Sequence, residues 1–218
     1  MSVIHTIVIG SSKSKNENAY YIESKDKFWG LIKSAGLTKD LLSPFEYRVL
    51  TNEYGIGFGE LAFDYVFLGE QIENEAVAND KLLNDQIEIL NIGIPKLVKH
   101  IKELKPKRIV FNGKGTAACF YEYLKKGKVE KIKASYVKEL NFSYGKVDTW
   151  NGIEIWMLPN LSNAAGKYWK EDNGEQLWLN FWKTVADDKP KNTTKAWLWV
   201  LIIATIIISF LLFNLKNN

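Results

Sequence analysis

The sequence predicts an α/β fold: one three-layer α/β/α domain with a central mostly parallel sheet, followed by a single C-terminal transmembrane helix. Three observations predict it. Apolar, β-branched runs at Val3 to Ile9, Lys107 to Phe111 and Ile153 to Leu158 each give way to a polar loop and then to a helix-forming stretch, the order of a parallel sheet built by crossovers. Helical stretches with one apolar face, such as Pro95 to Leu104, supply the covering layers. Ala196 to Leu215 carries no charge for 20 positions, enough at about 1.5 Å per residue to cross a hydrocarbon core of about 30 Å.

Composition sets the scale. The 218 residues are 46% hydrophobic and 13% aromatic, which suffices for one core rather than several small ones. The divisions read as a domain over 1–186, a polar linker over 187–195 and the apolar helix over 196–215. One cysteine, Cys119, excludes a disulfide framework and a cysteine-rich zinc site, and two histidines leave little for metal ligation. Cys119 lies in an apolar run and reads as a small core residue. Between Lys99 and Lys146 stand 13 Lys/Arg against 4 Asp/Glu, and between Glu46 and Glu88 stand 10 acidic residues against 2 basic, so either one face suits a polyanion or two solvated helices differ in sign.

Taken in order, the first strand opens at Gly10 into a loop of Ser, Lys and Asn that reaches the pair Tyr20 and Tyr21. Ligands of open α/β sheets bind at the carboxyl ends of the strands, so this loop is either a binding pocket or an ordinary solvated connection. A helix is expected over about Lys25 to Ala35, with Phe28, Trp29, Leu31 and Ile32 inward and Gly36 as its stop. Ser43 and Pro44 read as N-cap and first position of a short helix to about Asn52. Tyr54-Gly55-Ile56-Gly57 reads as a flexible turn able to pass close to a ligand, and Gly69 to Gly93 as loop with some helix. In the helix from Pro95 to Leu104, Leu97, Val98, Ile101 and Leu104 face inward and His100 is surface. The second strand ends in Asn112-Gly113-Lys114-Gly115 before a helix over Thr116 to Leu124; a phosphate-binding loop would need glycine where Arg108 stands, although the helix N-terminus still offers N–H groups to an anion. Lys125 to Tyr144 is basic and reads as loop or ragged hairpin. The third strand delivers Asn160, Ser162 and Asn163 to the same sheet edge, and a helix over Gly174 to Val185 closes the domain.

The terminal helix implies a membrane anchor. Trp197 and Trp199 fit an interfacial belt, and Lys189, Lys191 and Lys195 against Lys216 place the domain on the cytoplasmic side. Met1 to Gly10 lacks the basic region of a signal peptide.

Several segments in this order resemble the uracil-DNA glycosylase superfamily, in particular its mismatch-specific uracil/thymine branch: AYY and KFW within Ala19 to Trp29, SAGLT at Ser34 to Thr38, YGIG at Tyr54 to Gly57, FNGK at Phe111 to Lys114 and LPNLSNAAGKYW at Leu158 to Trp169. The resemblance covers about Ile4 to Lys183 and implies a glycosylase-like α/β/α fold, base flipping and hydrolysis of an N-glycosidic bond with no cofactor and no metal. The family's first motif, Gly-x-Asn-Pro-Gly, uses its Asn to position water; here Gly10-Ser11-Ser12-Lys13-Ser14 puts Ser12 in that place, with Asn16 and Asn18 as neighbouring substitutes. Gly10, Ser11, Tyr21 and Asn112 match the base-binding positions, Tyr21 as the stacking ring and Asn112 as reader of a pyrimidine edge. From composition alone Tyr21 is equally a core tyrosine, Asn112 a turn cap and Lys114 a solvated cation. Lys114, Asn160, Ser162, Asn163 and Ala164 match positions at the DNA backbone, and Ala164 stands where relatives place a bulky wedge, which favours mismatched or single-stranded DNA. The expected partners are therefore DNA and, through 196–215, a membrane, with a monomeric domain. Two other functions stay open: a nucleic-acid or nucleotide-binding module that has lost the reaction, and a tethered domain serving protein contacts.

Overall fold

The computed structural model describes residues 3–11, 20–22, 26–62, 87–130, 143–161 and 166–188. Two compact units divide the chain, Met1–Ala186 and Asp187–Asn218, and only the first two residues of the second are described. The 196–215 segment thus lies outside the described residues; among those described, no helix is long and apolar enough to cross a membrane.

Among the described residues, five strands form one mixed sheet: β1 (Thr6–Gly10), β2 (Ile56–Glu60), β3 (Arg108–Asn112), β4 (Gly145–Trp150) and β5 (Ile153–Leu158). Their order is β2-β1-β3-β5-β4, all parallel neighbours except the antiparallel β4–β5 pair. Strands β1 and β3 are apolar almost throughout because both their faces are covered. Successive side chains alternate between the faces. Ile7, Ile9, Ile109, Phe111, Ile155 and Met157 pack with Leu97 and Ile101 of α3 (Ile87–Leu104) and with Ala117 and Phe120 of α4 (Lys114–Lys126). The alternate residues Val8, Ile56, Val110 and Leu158 pack with Phe28, Trp29 and Ile32 around α1 (Leu31–Ser34), with Leu50 of α2 (Tyr47–Tyr54), and with Trp178, Phe181 and Trp182 of the last helix. Two further helices close the described chain, α5 (Gly166–Glu171) and α6 (Gly174–Asp187).

Local chemistry explains the borders. The first helical segment starts as a π turn over Asp26–Gly30, continues as α1 and ends at Gly36, whose φ of 73° is left-handed. Ser43 and Glu46 form a capping box around the 3-10 turn Pro44–Glu46 that leads into α2, as the Ser-Pro signal predicts.

Four expectations need correction. The Tyr54–Gly57 stretch is not a flexible turn: Gly55 caps α2 in a left-handed conformation, and Ile56 and Gly57 open strand β2. Glycines fill that strand because a Cβ on Gly59 would lie 3.0 Å from Leu97 Cδ1, and one on Gly57 3.2 Å from Ile4 Cγ2. Helix α3 starts at Ile87, eight residues before Pro95, and passes so close to Leu61 and Ala62 that a Cβ on Gly93 would meet the Leu61 carbonyl. Within Lys125 to Tyr144, Lys125 and Lys126 complete α4, residues 131–142 lie outside the described set, and β4 follows at Gly145 as an edge strand with a bulge between Lys146 and Asp148. Helix α5 is an addition that the sequence reading lacks.

Candidate functional site

The four parallel strands end in one row. Glu60 pairs in register with Gly10, the Ile9–Phe111 pair sets Gly10 beside Asn112, and Asn112 pairs with Leu158. By the two-residue period these four share the parity of Ile56, Val8 and Val110, so the row belongs to the face that carries α1, α2 and α6. The pairing runs on past the strand ends, since Leu61 N–H donates to Gly10 O at 3.0 Å and Ala62 N–H to Ser11 O at 3.1 Å. Gly10 has no side chain, so the row itself places none between Glu60 and Asn112, whose backbones lie about 9.6 Å apart at twice the strand spacing.

Tyr20 and Tyr21 pack against this row. Tyr20 is held through its backbone, donating N–H to Pro44 O at 3.3 Å and accepting the Trp29 indole N–H on its carbonyl at 3.1 Å. Its ring stacks on Phe58 at 4.4 Å between centroids and meets Tyr47 edge-on at 5.0 Å. Its hydroxyl is hydrogen-bonded to the Glu60 carboxylate, and burial followed by that nearby carboxylate pushes the phenol well above its ordinary range, so it stays a donor. Glu60 itself is 9% exposed, a charge placed almost inside the protein.

Tyr21 adopts a left-handed φ of 55°, an uncommon conformation for a bulky residue. Its ring stacks on Phe28 at 4.3 Å with 20° between planes. Burial, then Glu60, then Tyr20 raise its hydroxyl far above the usual phenol range, and a hydrogen bond from the Asn112 side chain pulls weakly the other way. Asn112 in turn accepts the Leu161 N–H on Oδ1 at 2.9 Å. With Oδ1 so used, the amide NH2 is the donor left for Tyr21.

The loops after β3 and β5 lock to each other beyond this row. Gly113, with φ +99°, donates its N–H to Leu158 O at 2.8 Å, and a Cβ there would sit 3.3 Å from Asn160 Cβ. Thr116 Oγ1 donates to Asn112 O at 3.1 Å, and the Trp178 indole N–H donates to Pro159 O at 2.8 Å from inside the core.

Gly10, Tyr21 and Asn112 are therefore brought together, with exposed Ser11 beside them and exposed Asn160 at the rim. Lys114 is half-buried, with its ammonium 4.5 Å from the centre of the Tyr144 ring. Burial and Asp172 raise the Tyr144 hydroxyl to about 12, so the ring beneath Lys114 stays neutral. Ser12, Asn16, Asn18, Ser162, Asn163 and Ala164 lie outside the described residues. Cys119 is buried, donates to Gly115 O at 3.1 Å and has its thiol pushed up to about 12 by burial, the chemistry of a core residue. Among the described residues no group of three His, Cys, Asp or Glu could hold a metal ion.

Sequence reasoning missed Glu60 and the part played by Tyr20. The available signal was the alternation Ile56, Phe58, Glu60, which marks a half-buried strand ending in an inward acid once the glycines between are read as packing positions. Chemically, the row sets an amide and a carboxylate against an aromatic wall, with the Tyr21 and Tyr20 hydroxyls at them. No protein-family model matches this sequence, and no curated protein matches it.

Proposed function

We propose that this protein is a monofunctional DNA glycosylase that removes uracil or a related deaminated or mismatched base, held at the inner face of a membrane by 196–215. The observation that carries the reading is the row at the carboxyl edge, where Asn112, fixed by Leu161, meets Tyr21 beside Gly10, which has no side chain. Such a site suits a base swung out of the stack: the ring lies against an aromatic, and amide hydrogen bonds read its edge. The sheet with helices packed on both faces, and five sequence segments in glycosylase-like order, support the same assignment. The rim residues Lys114 and Asn160, with Ser162, Asn163 and Ala164 shortly after Asn160 in the sequence, are the proposed backbone contacts. A methyl at Ala164 fills a vacated base stack poorly, so mismatched and single-stranded DNA are the proposed substrates, bound by one copy of the domain without a cofactor.

The test is an abasic-site assay with the full chain in detergent micelles, on oligonucleotides carrying uracil or hypoxanthine as single strands, in mismatches and in matched duplexes. Alkali-revealed cleavage, faster on mismatched and single-stranded DNA, is expected. Absence of cleavage at enzyme excess on every substrate refutes the proposal. A second reading, a binding module without catalysis, is favoured by Ser12 in place of the water-positioning Asn, and it requires salt-dependent DNA binding in the absence of base release.

A further inference from the structure

We infer that Tyr20 is the positioning residue of this site: held through its backbone, its ring and its hydroxyl, it keeps the next residue, Tyr21, turned onto Phe28 with its own hydroxyl at Asn112. The inference rests on the glycosylase reading above, which sets a flipped base against the Tyr21 ring. Its ground is an outlier in the backbone. Neighbouring side chains of an extended chain point to opposite sides, yet the Tyr20 and Tyr21 rings both reach Phe58, with centroids 4.4 and 6.3 Å from it. The left-handed φ of 55° at Tyr21 turns the chain so that both rings come to one row. A bulky residue keeps such a conformation only where its surroundings over-determine it, and outliers of this kind gather at working sites.

Tyr20 supplies that constraint through contacts from four elements. The Pro44 carbonyl, in the 3-10 turn before α2, accepts its N–H, and the Trp29 indole, in the π turn, donates to its carbonyl. Phe58 of β2 lies against the face of its ring and Tyr47 of α2 meets the ring edge-on. Glu60, the last residue of β2, hydrogen-bonds its hydroxyl. Tyr21 therefore starts from a fixed peptide. Its far end is set by its ring, 4.3 Å from that of Phe28, and by the hydrogen bond between its hydroxyl and the Asn112 side chain. The pair of tyrosines thus ties the chain that follows β1 to the ends of both neighbouring strands, Tyr20 to β2 through Glu60 and Tyr21 to β3 through Asn112. In this arrangement Glu60 and Tyr20 act through Tyr21 and not on the reacting atoms. Loss of the Tyr20 hydroxyl removes the tie to β2 and lets Tyr21 leave its left-handed conformation.

Tyr20→Phe is the informative variant, because it keeps the ring and both backbone hydrogen bonds and removes only the hydroxyl. Two readouts are taken with the full chain in detergent: single-turnover release of uracil from a U·G duplex, and the preference in Kd for that duplex carrying a non-cleavable 2′-fluorinated deoxyuridine over a plain matched duplex. Expected in Tyr20→Phe are release slower by about 10- to 100-fold, the scale of a displaced contact group, and a preference lower by about tenfold. Tyr21→Leu lowers the preference on its own. Because Tyr20 acts through Tyr21, the double variant should match Tyr21→Leu within about twofold, whereas a merely structural role of Tyr20 makes the two losses multiply. Multiplying losses therefore overturn the inference. Release and preference both within about threefold of wild type in Tyr20→Phe overturn it too, and leave the glycosylase reading standing. A wild-type protein that neither releases uracil nor prefers the uracil duplex overturns that reading and, with it, the use assigned to Tyr20. Should Tyr20→Phe unfold the protein, Glu60→Gln takes its place in the same comparison: the amide oxygen accepts the hydroxyl without a charge, so a smaller loss, again absent beside Tyr21→Leu, is expected, and no loss or a multiplying one refutes the inference.

Discussion

Replacing Asn112 separates its two jobs. Asn112→Ala removes the acceptor for the Leu161 N–H, and Leu161 is 0% exposed, so no water replaces the lost partner. An orphaned buried donor costs about 1–3 kcal/mol, and for a chain of this size each kcal/mol lowers Tm by about 2–4 °C. The expected fall is therefore roughly 2–12 °C, followed by circular dichroism on heating. Asn112→Asp keeps an oxygen for Leu161 but loses the NH2 that bonds Tyr21, and it sets a second acid beside the Glu60–Tyr pair. It should retain more stability than the alanine variant yet release no more base. An unchanged Tm for Asn112→Ala refutes the anchoring of the last loop by this amide. Wild-type base release by Asn112→Asp refutes its part in reading the base.

Three further outcomes follow from packing and charge. Trp178→Phe leaves the Pro159 carbonyl without its indole donor and should cost about 1–3 kcal/mol in denaturant unfolding; a value near zero contradicts the importance of that bond. Gly93→Ala drives a Cβ into the Leu61 carbonyl, next to Glu60, so loss of about 1–3 kcal/mol of stability and a fall in base release are expected together, and a fully stable, active variant contradicts the close approach of α3. Cys119, its thiol raised from 9.0 to about 12, should resist disulfide reagents at pH 8 until the chain unfolds. Below pH 9.0 both folded and unfolded thiols hold their proton; between there and about 12 only the unfolded one releases it, so stability falls as pH rises, and Cys119→Ala should flatten that slope in alkaline unfolding titrations.

Legibility in the sequence followed burial. β1, β3 and β5 announce themselves because strands covered on both faces read as continuous apolar runs, and α6 because Trp178, Phe181, Trp182 and Val185 repeat at helical spacing. β2 was hidden by Gly57 and Gly59, which serve the tight approach of Ile4 and Leu97 and read in isolation as turn residues. The first half of α3 was hidden by Asn91, Gly93 and Pro95; Asn91 spends its amide on both backbone groups of Val129, at 2.9 and 2.7 Å. β4 is an edge strand with most side chains outside, so its pattern is faint. At the candidate site, Gly10 and Asn112 end legible strands, and Tyr21 was singled out from the loop that follows the first of them. Glu60 could not: its strand was illegible, and the residue passed for one more acid in a run of them.

The most direct measurement is mass spectrometric detection of free uracil released from a U·G oligonucleotide by the full chain, under single turnover, beside Tyr21→Ala. Release by the wild type with loss in the variant is expected if the strand-end row is a base-excision site. No free base at enzyme excess, or equal release by Tyr21→Ala, would contradict that account.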